Sequence, residues 1–206
     1  MAAPARAAPA YAELCAVSNF SFLQGASHPE ELVARAARLG YAALALTDEC
    51  SLAGVVRAHA AAREHGLHLV IGSLLELADG LCLVVLAMDR PGYARLSALI
   101  SEARRAAPKG AYRVDRSMLD DGLPGCLVLW RPCGDRRRDE PDGAWLHAHF
   151  GERCRIGVVR HLGPGESAHG HYLEWLAGRI GLDRVALGAV PMHARGRRAL
   201  ADALPA

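Results

Sequence analysis

The stretch Glu13-Leu-Cys-Ala-Val-Ser-Asn-Phe-Ser-Phe-Leu-Gln-Gly-Ala-Ser-His-Pro-Glu-Glu-Leu32, followed by Leu44-Ala-Leu-Thr-Asp-Glu-Cys-Ser-Leu-Ala-Gly54, decides how the chain is read. Tyr11 to Ser18 alternates loosely, as a first strand does. His28 to Gly40 carries the marks of a helix. Ser27 is expected to cap it, Pro29 suits its first turn, and Glu30 and Glu31 sit at its positive end. Leu32, Val33, Ala36 and Leu39 form one apolar face, and Gly40 ends it. Ala42 to Thr47 is a short apolar run that reads as a buried strand, with Asp48 at its carboxyl end. Ser51 to His65 is a second helix, closed by Gly66.

The same rhythm continues outward. Leu67–Gly72 is a third strand. Leu74–Leu77 and Leu81–Ala87 flank Ala78-Asp-Gly80, a hairpin signal. Pro91–Arg105 is helical and Cys126–Trp130 is a strand. Arg131–Gly143, rich in Pro, Gly and charge, reads as an exposed loop, with a helix only over Ala144–Phe150. Ile156–Arg160, Ser167–Ile180 and Val185–Val190 repeat strand, helix, strand. Alternating strands and helices imply an α/β fold with a largely parallel sheet. The pattern alone leaves open sheet and closed barrel undecided.

Of the 206 residues, 51% are apolar and 22% charged, the balance of an ordinary globular domain. A net charge of +2 is too small to argue for nucleic acid. The basic residues are arginines except Lys109, which fits codon bias in a GC-rich genome. The six cysteines form no Cys-x-x-Cys pair, so a zinc knuckle is unsupported and reduced thiols are expected. Residues 1–10 read as a flexible Ala/Pro leader without the apolar core of a signal peptide. No apolar stretch has membrane-spanning length. A single domain over 11–206 in the cytoplasm is the expectation.

The two quoted stretches, together with Gly188-Ala-Val-Pro-Met-His193, resemble the PHP (polymerase and histidinol phosphatase) domain of bacterial replicative-type DNA polymerases, in particular the error-prone branch. The likeness runs from about Tyr11 to Leu204, strongest at 11–56 and 185–200. It implies a distorted (β/α)7 barrel with the site at the carboxyl ends of the strands. It also implies a cluster of His, Asp and Glu holding up to three divalent metals that hydrolyse a phosphate ester. Polymerase palm, fingers and thumb would lie outside this chain.

The family's ligand positions are matched unevenly. The initial His-x-His falls on Cys15 and Val17, although Ser18-Asn-Phe-Ser21 after it is kept. Thr-Asp-His reads Thr47-Asp48-Glu49, as in the error-prone branch. Gly-x-Glu reads Gly72-Ser73-Leu74; Glu76 would point the same way but lies about 6–7 Å further along a strand. Asp-x-His falls on Ala189 and Pro191. Val17, Leu74, Ala189 and Pro191 cannot ligate a metal. Cys15, Asp48, Glu49 and His193 are the residual candidates, for zinc or manganese if any. No catalytic residue and no cofactor are expected.

Other features carry bland readings beside functional ones. Asp48, Glu49 and Ser51 could simply start the second helix. His28 is a surface residue at a helix start, and His161 lies near a strand end. The pairs His147/His149 and His169/His171 cannot share a metal if helical. Arg136–Arg138 could contact a phosphate backbone, but Asp135, Asp139, Glu140 and Asp142 offset them. No Gly-x-Ser-x-Gly, Walker or Gly-x-Gly-x-x-Gly motif occurs. The first expectation is a structural and docking module of an error-prone polymerase engaged in translesion synthesis and DNA repair. Its partners would be the polymerase core and other replication proteins, with DNA met only indirectly and no membrane. The alternative is an active metal-dependent phosphoesterase or 3'-5' exonuclease with an unusual ligand set. A third reading is a diverged remnant that folds but does little.

Overall fold

The computed structural model describes residues 10–160, 163 and 165–204. His161 and nearly all of the Ala/Pro leader lie outside them. Seven strands follow one another in chain order around a nearly closed barrel. β1 (Ala12–Ala16), β2 (Ala43–Leu46) and β3 (His68–Glu76) are parallel neighbours. The hairpin at Ala78–Gly80 turns β3 back into β4 (Cys82–Ala87), and β5 (Cys126–Arg131) pairs antiparallel to β4. β6 (Cys154–Val159) and β7 (Arg184–Leu187) complete the sheet in parallel. The two antiparallel joints reverse β4 alone and keep the other six strands pointing one way, so their carboxyl ends meet at one mouth.

The seam is closed by irregular backbone just past β7. Val190 N–H donates to Cys15 O at 2.8 Å, and Val17 N–H to Val190 O at 3.0 Å. β1 bulges between Glu13 and Ala16 to allow this. The bulge turns the Glu13 carboxylate into the seam. There it accepts from Cys15 N–H (2.8 Å), Gly188 N–H (3.0 Å) and Tyr11 O–H (2.8 Å). A buried carboxylate is tolerable only when its lone pairs are met in this way. A Cβ at Gly188 would lie 1.9 Å from Glu13 Oε2, so the close approach needs glycine.

Helices α1 (Pro29–Arg38), α2 (Val55–His65), α3 (Arg90–Arg105), α4 (Arg136–Phe150), α5 (Glu166–Ile180) and α6 (Arg198–Ala203) clothe the barrel. α1 and α2 bury Leu32, Val33, Ala36, Val55 and Ala58 against β1–β3. α3, α4 and α5 cover the rest around Trp130, Leu96, Leu146 and Leu176. Inside the barrel lie Cys15, Ala45, Val84, Leu86, Leu129 and Leu187.

Three local expectations are corrected. Arg131–Gly143 is not an exposed loop, because α4 begins at Arg136 despite Pro141. Buried Asp139 anchors that turn by accepting from Cys133 N–H (3.0 Å), Gly134 N–H (2.8 Å) and Tyr172 O–H (2.7 Å). Packing thus outweighs the proline penalty. The second helix starts at Val55, since Asp48 and Ser51 are used elsewhere. Ser27 does not cap α1; His28 occupies the cap, and its N–H donates to Glu31 Oε2 at 2.8 Å.

Candidate functional site at the barrel mouth

Asp48 stands at the end of β2, buried. Its Oδ1 accepts from Ser18 N–H (2.7 Å) and Ser21 O–H (2.8 Å), while Ser18 Oγ lies 2.8 Å from Oδ2. Burial pushes its pKa above the ordinary value, and the serine bonds pull it back only in part. The helix-start reading of Asp48 is therefore wrong. Its carboxylate instead pins the Ser18–Ser21 turn at the end of β1. Gly54 packs beneath it, where a Cβ would meet Asp48 Oδ2 at 2.8 Å.

Glu49 is likewise engaged by protein donors. Tyr112 O–H donates to its Oε1 at 2.7 Å, and Gln24 Nε2 contacts Oε2. Ser21 Oγ accepts its backbone N–H at 2.9 Å. The Glu49–Cys50 backbone is held from outside by Arg104, whose guanidinium donates to Glu49 O (3.2 Å) and Cys50 O (3.1 Å) and lies over the Tyr112 ring. Burial and the bond to Glu49 raise the Tyr112 pKa well above the usual tyrosine range.

Cys15 lies inside the barrel, where Thr47 Oγ1 contacts its sulfur at 3.8 Å. Burial raises its pKa, which disfavours the thiolate a metal needs. His193 sits apart, over the start of α1. Its Nδ1 is 2.8 Å from Ser27 Oγ and 3.7 Å from Glu31 Oε2. Val17 is buried, Leu74 pairs across to Glu49, and Pro191 O accepts from Ala26 N–H. Glu76 is exposed at the hairpin. Ala189 has φ +49°, a left-handed conformation that Asn, Asp and Gly tolerate better than Ala.

Arg131 brings a fixed positive charge to this rim. It stands opposite Cys82 in the β4–β5 register, and its field opposes the burial-driven rise of the Cys82 and Cys15 pKa values. A guanidinium there repels a divalent cation. The residues present do not fit a polynuclear metal group. Val17, Leu74, Ala189 and Pro191, where the family resemblance expects ligands, carry no donor side chains, and Asp48 and Glu49 are taken up by protein hydrogen bonds. Among the described residues no three His, Cys, Asp or Glu side chains are grouped so as to hold a metal ion.

The remaining candidates lie elsewhere. His147 and His149 are on α4, bonded to Ile180 O and Trp145 O, and His169 and His171 are on α5. On helices, neither pair can share a metal. Arg138 donates to Asp79 O, and Arg136 pairs with Glu140 and lies over Trp175. Sequence reasoning missed Tyr112, Arg104, Arg131 and Ser73, whose hydroxyl donates to Asp48 O at 2.7 Å. Only Ser18-x-x-Ser21, directly after the first strand, offered a signal.

Residues 14–163 match the model of the PHP domain. The chain belongs to the PHP domain family. It is 55% identical over 197 residues to an error-prone DNA polymerase of Methylococcus capsulatus, covering 95% of this chain and 19% of that protein. It is 53% identical to an error-prone DNA polymerase of Dechloromonas aromatica, covering 96% of this chain and 20% of that protein. The chain thus spans about a fifth of the relatives' length and corresponds to their PHP part. Among solved structures, an amidohydrolase from Chromobacterium violaceum superposes with a TM-score of 0.66 at 19% identity, covering 89% of this chain and 88% of that one. A candidate metal-dependent phosphoesterase from Bifidobacterium adolescentis gives 0.64 at 16% identity, covering 91% and 90%. These two likenesses establish the fold alone. No described helix is long and apolar enough to cross a membrane.

Proposed function

We propose that this PHP domain is a metal-independent structural and docking module of an error-prone DNA polymerase. The observation that carries the reading is the fate of the surviving carboxylates. Asp48 and Glu49 are the two acids of the second motif at the mouth, and each is tied to serine, tyrosine or amide donors of the protein. A ligand removed from a metal site weakens it, and removal of most abolishes it. Here the network among β1, β2 and the Tyr112 segment orders the mouth in place of metal bonds. The rigid barrel then buttresses the polymerase core in the cytoplasm and presents surfaces to translesion partners, with DNA reached only through the assembly.

The test is hydrolysis of bis(p-nitrophenyl) phosphate by the purified chain with excess Zn²⁺ or Mn²⁺. The reading expects the rate of buffer containing the same metal. A metal-dependent rate that titrates with enzyme and disappears in Asp48→Asn would establish the phosphoesterase instead. In the longer polymerase, docking predicts that deleting residues 1–204 lowers the stability or solubility of the remainder.

A further inference from the structure

Outside the barrel, α1 and the segment Val190–Arg198 enclose a cleft of about 600 Å³, which includes His193 but neither Asp48 nor Glu49. Its volume falls in the range of small-molecule sites, and its lining is mainly apolar: Leu32, Ala36, Leu44, Val190 and Met192. Its rim is cationic. Arg35 comes from α1, and Arg195 and Arg198 come from the opposite wall.

The ion pairs nearby divide these arginines. Arg197, beside the cleft, is bound to Glu31 at 2.7 Å. Arg198 has a loose exposed contact with Asp202 at 3.4 Å. Arg35 and Arg195 have no acidic partner within ion-pair distance among the described residues. Two arginines facing one apolar cleft from opposite walls, without counter-ions, are the complement of an anion carried on an apolar body. The acid that does line the cleft, Glu13, does not neutralise them. It is fully buried at the seam and bound to Tyr11, Cys15 and Gly188. The walls are also fixed: Glu31 on α1 ties Arg197, and Ser27 ties His193 (2.8 Å), so the cleft is pre-formed.

We infer that this cleft binds a small amphipathic anion, an apolar body of cleft size bearing one acidic group that Arg35 and Arg195 receive. The apolar part displaces water from Leu39, Val190 and Met192, and the guanidiniums supply charge-assisted hydrogen bonds at the rim. The site uses neither Asp48 nor Glu49 and needs no metal.

The probe is 8-anilino-1-naphthalenesulfonate, followed by fluorescence against the intact chain at low salt. The neutral N-phenyl-1-naphthylamine, the same body without the sulfonate, is the control. Expected is saturable binding of one equivalent. The pair Arg35→Gln and Arg195→Gln weakens the sulfonate probe at least tenfold, while the neutral probe changes less than twofold. Both arginines are exposed, so the thermal midpoint stays that of the parent. Met192→Asn, at a partly exposed position of the lining, would weaken both probes. Equal affinity of the sulfonate probe for parent and double variant would overturn the inference, as would binding of several equivalents. Undiminished binding in Met192→Asn would place the probe elsewhere and overturn it equally.

Discussion

Replacing Asp48 by alanine tests the hydrogen-bond network at the mouth. The substitution removes the acceptor of Ser18 N–H, Ser18 O–H and Ser21 O–H, all buried. A hydrogen bond to a charged group contributes about 1.5–3 kcal/mol net, and an orphaned buried N–H costs about 1–3 kcal/mol. These do not add, because the hydroxyls can rotate. The expected loss is therefore about 3–5 kcal/mol, within the range for breaking a buried charged contact. A domain of this size loses about 2–4 °C of Tm per kcal/mol, which gives a fall of roughly 6–20 °C. Asp48→Asn keeps the shape and one acceptor oxygen, so about 1–2 kcal/mol is expected. The assay is urea unfolding followed by circular dichroism, with and without EDTA. EDTA should change neither parent nor variant. A loss under about 1 kcal/mol for Asp48→Ala would refute the reasoning.

Further outcomes follow from other residues. Burial raises the folded pKa of Asp48 above 3.8, so the proton-linked part of its stabilisation is full below that value and is lost as pH rises through the raised one. The stability difference between parent and Asp48→Asn, from urea curves, should accordingly be larger at pH 4 than at pH 8. Glu31 is the opposite case: the His28 N–H, with His193 and Arg197 beside it, holds its pKa below 4.5. Its contribution is present above 4.5 and lost as pH falls, so Glu31→Gln should flatten the acid limb of a stability–pH profile. Gly188→Ala should cost about 2 kcal/mol or more in urea unfolding, because its Cβ would overlap Glu13 Oε2. Ala189→Gly should gain up to about 1 kcal/mol by relieving the left-handed strain.

The N-terminal half was legible because local signals and packing agree there. Pro29, Glu30, Glu31 and Gly40 mark α1, and Leu32, Val33 and Ala36 of its expected stripe pack on β1 and β2, whereas Leu39 caps the helix and is exposed. The start of α4 was not legible, since Pro141 and a run of charges speak against a helix and only a tertiary contact, Asp139 with Tyr172, reverses that. Barrel closure was equally hidden: it rests on Val190 meeting Cys15 and Val17 across the chain, a register no periodicity contains. At the mouth, the choice of Val17, Leu74, Ala189 and Pro191 as positions that cannot ligate rests on the family resemblance and on their side-chain chemistry. What holds the mouth together could not, because Arg104, Tyr112 and Arg131 come from segments distant in sequence whose side chains carry no motif.

The central claim is that the mouth is held by protein hydrogen bonds and takes up no metal. Elemental analysis of the chain, purified without chelator from medium supplemented with zinc and manganese, tests this most directly. The account predicts less than about 0.1 equivalent of either metal per chain, the level of an unused site. Two or more equivalents, lost on replacing Asp48 and Glu49 together, would contradict it.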